Sequence, residues 1–458
     1  MFLPVDLASH ASLRAMLGPL AAGAEVDHYS LDGQPYDRRR DDGIIALRIR
    51  NGRTAFGAAV GDFRLKGGSY SRLNSERLSA FIDEMGSQDL PLVLLVDSMG
   101  VRLMDGRAVV KPAFGVIPHL LRFRESHLLV TCNLGRALGL GAVLYAAGHC
   151  RLAVSGRAFT NLAGPEVMRM FFRGSEEGDA PSPPAEPPGP EPSLAGDEAD
   201  TRDAMLSKAR AIVECAGPPG EPEARAGADE PAEFPSLSLS IKPEAKLRGI
   251  VAAFGESSVE VFANVSPSVR SFIVTRHGRR FGLFVNPPGN PDNLVTAAAL
   301  DRYLLGLDLF RVLRLPIVSL LDTPGGDPRD NAEVVHKFWQ TAQRIIEYPY
   351  RRMGVVIGRG YGGAIMLGFP RFFGSDATFV LEGASLGQMH PHIIDSLLAA
   401  SKRLAADWDA AKAAQTRDCT DIVAAGIIHG VIQSTGVLPA LDRFLRGEPA
   451  EAAECACG

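Results

Sequence analysis

Cysteine is scarce and scattered: six residues, Cys132, Cys150, Cys215, Cys419, Cys455 and Cys457, with no C-x-x-C pair. That pattern argues against a zinc ribbon and a disulfide framework. Cys455 and Cys457 on a terminal tail are too few ligands for a metal site, so no metal is expected. Long apolar runs are missing as well, because no window approaches the roughly 18 uninterrupted apolar residues of a membrane span. The opening residues MFLPVDLASHASLR lack a basic segment before an apolar core and carry Asp6 early. No secretory signal is expected, and the address read is cytoplasmic. A net charge of −5 provides no general attraction for nucleic acid or an anionic membrane, and neither is expected as a partner. H-E-x-x-H and the phosphate-binding G-x-x-x-x-G-K-[ST] are absent, and neither G-x-S-x-G nor a dinucleotide fingerprint occurs in the ordered strand–turn–helix context its chemistry needs. Of ten histidines, His390 and His392 in GQMHPH lie close together. Their spacing around a proline suits a surface loop better than a ligand pair.

What is present fills two cores. A chain of 458 residues that is 46% hydrophobic and 22% charged is expected to form two globular domains of roughly 200 residues each. Residues 174–240 are dominated by Pro, Gly, Ala and acids, a composition that buries too little apolar surface to offset its ordering entropy. They read as a disordered linker with one helical island, RDAMLSKARAIVECAG. Its Ala204, Leu206, Ala209, Ile212 and Val213 fall near helical spacing. The division expected is a segment 1–42, a domain 43–173, the linker 174–240, a domain 241–445 and a tail 446–458.

The two domains repeat one another. DLPLVLLVDSMG at Asp89–Gly100 matches RLPIVSLLDTPGG at Arg314–Gly326: Leu-Pro opens a short apolar run that ends in Asp, then Ser or Thr, then a glycine turn. From Asp97 to Gly139 is 42 residues, and from Asp322 to Gly362 is 40. Each half therefore predicts strand, Asp-Ser/Thr turn, helix, strand, glycine-rich turn, small-residue helix, strand. Apolar strands alternating with helices call for an α/β fold with a parallel, helix-covered sheet in each half. Asp97 and Asp322, ending strands, are expected to fix their turns by accepting backbone N–H bonds. Arg102 is read either as a turn-stabilising partner of Asp97 or Asp105, or as a contact for a phosphorylated ligand.

In GRGYGGAIMLG, Gly358–Gly368, glycines allow a tight turn between a strand and a helix of small residues. The first N–H groups of such a helix have no intrahelical partner. Gly362, Gly363 and Ala364 would let a ligand oxygen approach them, which is how an oxyanion hole is built from backbone alone. Phosphate binding or close packing are the alternatives for such a turn. GRALGLGAVLY is the counterpart in the first half, with Gly139, Gly141 and Ala142 at the turn.

These motifs resemble the biotin-dependent carboxyltransferases. DSMGVRLMDG is similar to their D-S-x-G-x-R segment, FRLKGGSYS to their F-x-x-x-G-G-S turn, DTPGGDP to their D-x-P-G turn, and GRGYGGAIMLG to their A-Y-G-G-A-Y turn. The match runs over about residues 43–173 and 246–435. The resemblance implies two tandem crotonase-like (ClpP/crotonase superhelical ββα) domains related by internal duplication. It also implies acyl-CoA held mainly by the first half, biotin by the second, and a site usually made between subunits. It carries Gly141 and Ala142 to the thioester and Gly363 and Ala364 to biotin, with Gly139 and Gly362 beside them as catalytic turn glycines. Gly67, Gly68, Ser69, Gly100, Arg102, Tyr361 and Gly325 follow as substrate-binding residues. The chemistry implied is transfer of CO2 between carboxybiotin and the α-carbon of a small acyl-CoA through an enolate held by backbone donors. With no A-M-K-M motif in the chain, biotin would ride on a separate biotin carboxyl carrier protein or biotin carboxylase partner, and a homo-oligomer is expected.

Two other functions fit the same motifs. GVRLMD and AAGHCRLAVSGRAFTNLAGPEVM are also similar to the first subunit of biotin-independent malonyl decarboxylases, whose thioester sits on an acyl carrier protein. A non-catalytic scaffold of the same fold is the third reading, and such a scaffold need not keep GLGA open to a ligand.

Overall fold

The computed structural model describes residues 1–52, 54–164, 194–217, 234–329, 331–389 and 420–450, together with 393 and 396. The chain divides into two compact units, Met1–Pro218 and Pro219–Gly458.

The first unit is built on strands β1 (Phe2–Pro4), β2 (Glu25–Tyr29), β3 (Ile44–Asn51), β4 (Thr54–Gly61), β5 (Leu92–Ser98), β6 (Leu129–Leu138), β7 (Cys150–Val154), β8 (Phe159–Asn161) and β9 (Asp197–Ala199). Their order is β1-β2-β3-β4-β5-β6-β7-β9, with β8 paired to β6. The first four run antiparallel, and every pairing from β4 onward is parallel. The central strands read as unbroken apolar runs because helices cover both faces of a parallel sheet. Leu92–Val96 is accordingly buried along its whole length. The helix Arg72–Ser87 begins at a capping box, with Ser71 and Asn74 exchanging bonds, and packs Leu78, Phe81, Ile82 and Met85 into the core. Each such side chain contributes roughly 1.5–3 kcal/mol by leaving water.

The second unit repeats the scheme in β10 (Ser257–Val261), β11 (Arg270–Arg276), β12 (Arg279–Val285), β13 (Ile317–Thr323), β14 (Arg352–Tyr361), β15 (Ala377–Leu381), β16 (Ser385–Gly387) and β17 (Gly430–Ile432). The order is β10-β11-β12-β13-β14-β15-β17, with β16 paired to β14. Again the first pairings are antiparallel and the rest parallel. Strands β2–β9 thus correspond one to one with β10–β17, and β1 is an addition to the first unit. The two α/β units are tandem copies of one topology.

Two parts of the expected division are redrawn. Residues 1–42 are no separate segment, since β1 and β2 extend the sheet of the first unit. Within 174–240, strand β9 pairs with β7, and a helix at Arg202–Glu214 starts from Thr201, whose side chain accepts the Ala204 N–H. Its Met205, Leu206, Ala209, Ile212 and Val213 are buried, while Ala204 is exposed. The Pro- and acid-rich flanks hide this apolar stripe from any average over the segment. Residues 165–193, 218–233 and 451–458 lie outside the described residues.

Cys132 and Cys150 are buried in the first unit, and burial pushes both thiols well above their usual range. Cys419, Cys455, Cys457, His390 and His392 lie outside the described residues. Among the described residues no cluster could hold a metal ion, and no helix is long and apolar enough to cross a membrane.

Candidate active site

Both units break register at the same point. In the first, Val96 pairs with Asn133 but Ser98 with Ala137; in the second, Leu321 pairs with Val356 but Thr323 with Gly360. The residue skipped is Asp97 in one and Asp322 in the other. A bulge leaves backbone groups of the longer strand unpaired, and the carboxylate takes one up. Arg136 N donates to Asp97 Oδ1 at 3.2 Å, and Arg359 N donates to Asp322 Oδ1 at 2.9 Å. The role expected for both aspartates is therefore observed. Gly358 is glycine for the same reason, since a β-carbon there would lie 2.6 Å from Asp322 Oδ1.

The two aspartates then diverge. Asp322 also accepts the Gly289 N–H at 2.5 Å and Arg359 Nε at 2.8 Å, and is buried. In the first unit the equivalent Arg136 turns its guanidinium over the Phe63 ring, 4.3 Å from the centroid. Burial raises the Asp97 carboxyl above the usual carboxylate range, against the lowering effect of the Arg136 amide bond.

Each bulged strand runs into a glycine with positive φ, at +53° for Gly139 and +61° for Gly362. Beyond Gly139 lies a helix at Leu140–Ala146. Gly139 itself donates to the Asn161 carbonyl at 3.0 Å, which ties the turn to β8. Ala142, expected as a donor toward ligand, gives its N–H to the Gly139 carbonyl at 3.1 Å. The first-turn amides without an upstream helical acceptor are those of Leu140 and Gly141. The Leu140 side chain is buried in the core with Val96 and Leu144, so it does not stand in front of them. Gly141 packs on Ser98, whose Cβ would be 3.2 Å from a β-carbon at 141.

In the second unit Gly362 opens a short 3-10 helix, Gly362–Gly368. Gly363 is exposed, with nothing within 4 Å of where a β-carbon would stand, and Ala364 is buried. Tyr361 is anchored by its hydroxyl, which donates to Ser385 Oγ at 2.7 Å. Gly325 adopts φ +124° and accepts the Val295 N–H at 2.9 Å. A β-carbon at Gly325 would lie 3.6 Å from the Tyr361 carbonyl oxygen, so these two candidate residues meet.

In the first unit, Gly67, Gly68, Ser69, Gly100 and Arg102 also come together. Met99 N donates to the Gly67 carbonyl at 2.9 Å, and Tyr70 N to the Gly100 carbonyl at 2.9 Å. The expected partners of Arg102 are replaced: its guanidinium bonds Asp42 and Ser69, while Asp105 accepts the Arg72 N–H. Arg102 is therefore occupied within the fold. Burial works to raise the Asp42 carboxyl, and bonds from Ser71, Arg102 and Lys66 together hold it below the usual carboxylate range. Asp42 carried no signal in the sequence beyond its place in an Asp-Asp pair before a strand.

No family model matches the chain. It is similar to the acetyl-coenzyme A carboxylase carboxyl transferase subunit beta of Synechococcus sp. (strain CC9902), 30% identical over 135 residues, which cover 29% of this chain and 46% of the relative. The same subunit of Parasynechococcus marenigrum (strain WH8102) is 31% identical over 134 residues, 29% of this chain and 45% of the relative. The chain spans about half the length of the relatives it matches. Among solved structures it is similar to the transcarboxylase 12S hexamer core with methylmalonyl-coenzyme A and methylmalonic acid bound. There the TM-score is 0.74 at 17% identity, over 98% of this chain and 91% of that one. A single-chain, multi-domain long-chain acyl-CoA carboxylase matches with TM-score 0.70 at 20% identity, over 88% of this chain and 41% of that one. The two tandem units thus have the fold of those enzymes.

Proposed function

We propose that the chain is a carboxyltransferase of the crotonase-like superfamily, a reading its similarity to the carboxyl transferase beta subunits supports, and that it moves CO2 between carboxylated biotin and the α-carbon of a small acyl-CoA. The observation that carries the reading is the duplicated bulge and glycine turn. In the first copy the Leu140 and Gly141 amides have no upstream helical acceptor and the leucine is turned into the core; in the second, Gly363 opens onto free space at the start of a short 3-10 helix. Fixed amide dipoles of this kind stabilise developing negative charge without reorganising.

On this reading the Leu140 and Gly141 amides face the thioester oxygen. As the α-carbon loses its proton, charge moves onto that oxygen as an enolate, and the enolate carbon then attacks CO2 to form the new C–C bond. The Gly362–Gly363–Ala364 turn fits the ureido oxygen of biotin, because the space at Gly363 is open and its donors are uncharged. Biotin, borne on a separate carrier protein, supplies the CO2 and the base that takes the proton. Gly67, Gly68, Ser69 and Gly100 shape the thioester side, and Tyr361 and Gly325 shape the biotin side. Arg102 acts there by holding the turn. The chain would work as a homo-oligomer, as the hexamer assembly of the similar transcarboxylase core suggests, and on the same reading it would act in the cytoplasm beside a biotin carboxyl carrier partner.

The test is to incubate the purified protein with malonyl-CoA or methylmalonyl-CoA, with and without free biotin, and follow the acyl-CoA masses. Decarboxylation that requires biotin is the expected result, being the transfer run in reverse. Loss of CO2 without biotin would replace this reading by the malonyl-thioester decarboxylase. No reaction of either thioester would remove small acyl-CoA substrates and favour a carrier-bound thioester or a scaffold.

A further inference from the structure

Asp42 belongs to neither glycine turn, yet the first turn is fastened through it. Its φ of +55° is a left-handed conformation that a non-glycine residue keeps only where its surroundings hold it. Here the holding groups are explicit. The Asp42 carbonyl accepts Asn74 Nδ2 at 2.7 Å and Arg102 Nη2 at 3.0 Å. The carboxylate accepts Arg102 Nη1 at 2.5 Å and Lys66 Nζ at 3.0 Å.

The same guanidinium reaches the other way, donating from Nε to Ser69 Oγ at 3.0 Å and from Nη2 to the Ser69 carbonyl at 3.1 Å. The backbone on either side of it is clipped to Tyr70, with Tyr70 N donating to the Gly100 carbonyl and Arg102 N to the Tyr70 carbonyl, both at 2.9 Å. Gly100 in turn abuts the turn that carries the free amides. A β-carbon on Gly100 would lie 3.0 Å from the Leu138 carbonyl oxygen and 3.5 Å from Gly139 Cα. A continuous series of contacts therefore leads from Asp42 through Arg102 and Gly100 to Gly139. Arg102 is 7% exposed, so its bond to Asp42 is shielded from water, whereas the Lys66 side chain is 59% exposed and its bond is weakened by solvent.

We infer that Asp42 is a positioning residue for the first glycine turn: its carboxylate fixes Arg102, and Arg102 holds Gly100 as the buttress that sets the Leu140 and Gly141 amides. What those amides do rests on the function proposed above; the mechanical link does not. Asp42→Asn is the variant of choice, because asparagine tolerates the left-handed backbone while it removes the charge and one of the two acceptor oxygens that Arg102 and Lys66 use. Hydrogen–deuterium exchange on the full chain reads the link without any substrate. Amides at 99–101 and 138–142 are expected to exchange at least about tenfold faster, with the centre of β5 unchanged. Lys66→Met is expected to leave all of them unchanged. Unaltered exchange in Asp42→Asn, faster exchange throughout the unit, or an equal effect from Lys66→Met would each overturn the inference. Where the thioester assay is active, Asp42→Asn should lower kcat roughly tenfold with KM changed less than about twofold. A raised KM at constant kcat would instead make Asp42 a contributor to ground-state binding and would also overturn it.

Discussion

A β-carbon at Gly68 would fall 2.0 Å from the Asp97 carbonyl oxygen, on a backbone with φ of +58°, whereas one at Gly363 would meet nothing within 4 Å. The two glycines therefore serve different ends. Gly68→Ala must move β5 or distort the turn, and is expected to cost about 3 kcal/mol or more, seen as a lower midpoint in urea. Gly363→Val should leave the melting temperature within about 2 °C, as an exposed substitution does. On the proposed function it should still abolish turnover, because the side chain would fill the open space assigned there to the ligand oxygen. Unchanged turnover would remove the second turn from the mechanism. Asp97 allows a different check. Its folded pKa is raised by burial, so its favourable share of stability is present in acid and is lost as pH rises through the folded pKa. Asp97→Asn imitates the neutral form and retains an acceptor for the Arg136 amide. It is expected to melt higher than wild type at pH 7. The gain should shrink on acidification and vanish below the unfolded carboxylate value of about 3.9. A variant that melts lower at pH 7 would refute this. Arg102 teaches the opposite lesson about legibility: its acidic neighbours in sequence are Asp97 and Asp105, but its partner is Asp42, 60 positions away.

Elements were readable wherever periodicity was strong. The buried run Leu92–Val96 follows from local pattern alone. The helix Arg202–Glu214 was readable as a helix, yet its attachment to the first unit was not, because Pro- and acid-rich neighbours dominate the composition around it. Leu206 is fully buried there. Leu206→Ala should therefore destabilise the first unit by about 2–5 kcal/mol, the usual cost of emptying a core site. A helix merely tethered in a linker would lose almost nothing, and urea unfolding separates the two. The bulges lay beyond sequence reading for a related reason. An Asp before Ser or Thr announces a turn, but a register shift is a property of two strands, and its partner residues, Asn133 to Ala137 and Val356 to Gly360, lie far along the chain.

For the molecule as a whole, the sequence by itself determined the duplication, the alternation of strand and helix, and the glycine turns. These depend on short-range physics: side-chain period, capping residues, and the positive φ that Gly139 and Gly362 adopt. It also carried enough of the motifs to indicate the carboxyltransferase fold. Only the tertiary structure decided that β1 and β2 join the first sheet, that the helix after Thr201 belongs to that unit, and which amides of the first turn stay free. It alone decided that Asp322 is held by Arg359 while Asp97 is left to the amide of an arginine that stacks on Phe63. The reason is the same in each case. A hydrogen bond or ion pair is chosen by distance in space, and two residues of like sequence context receive different partners once the chain has packed.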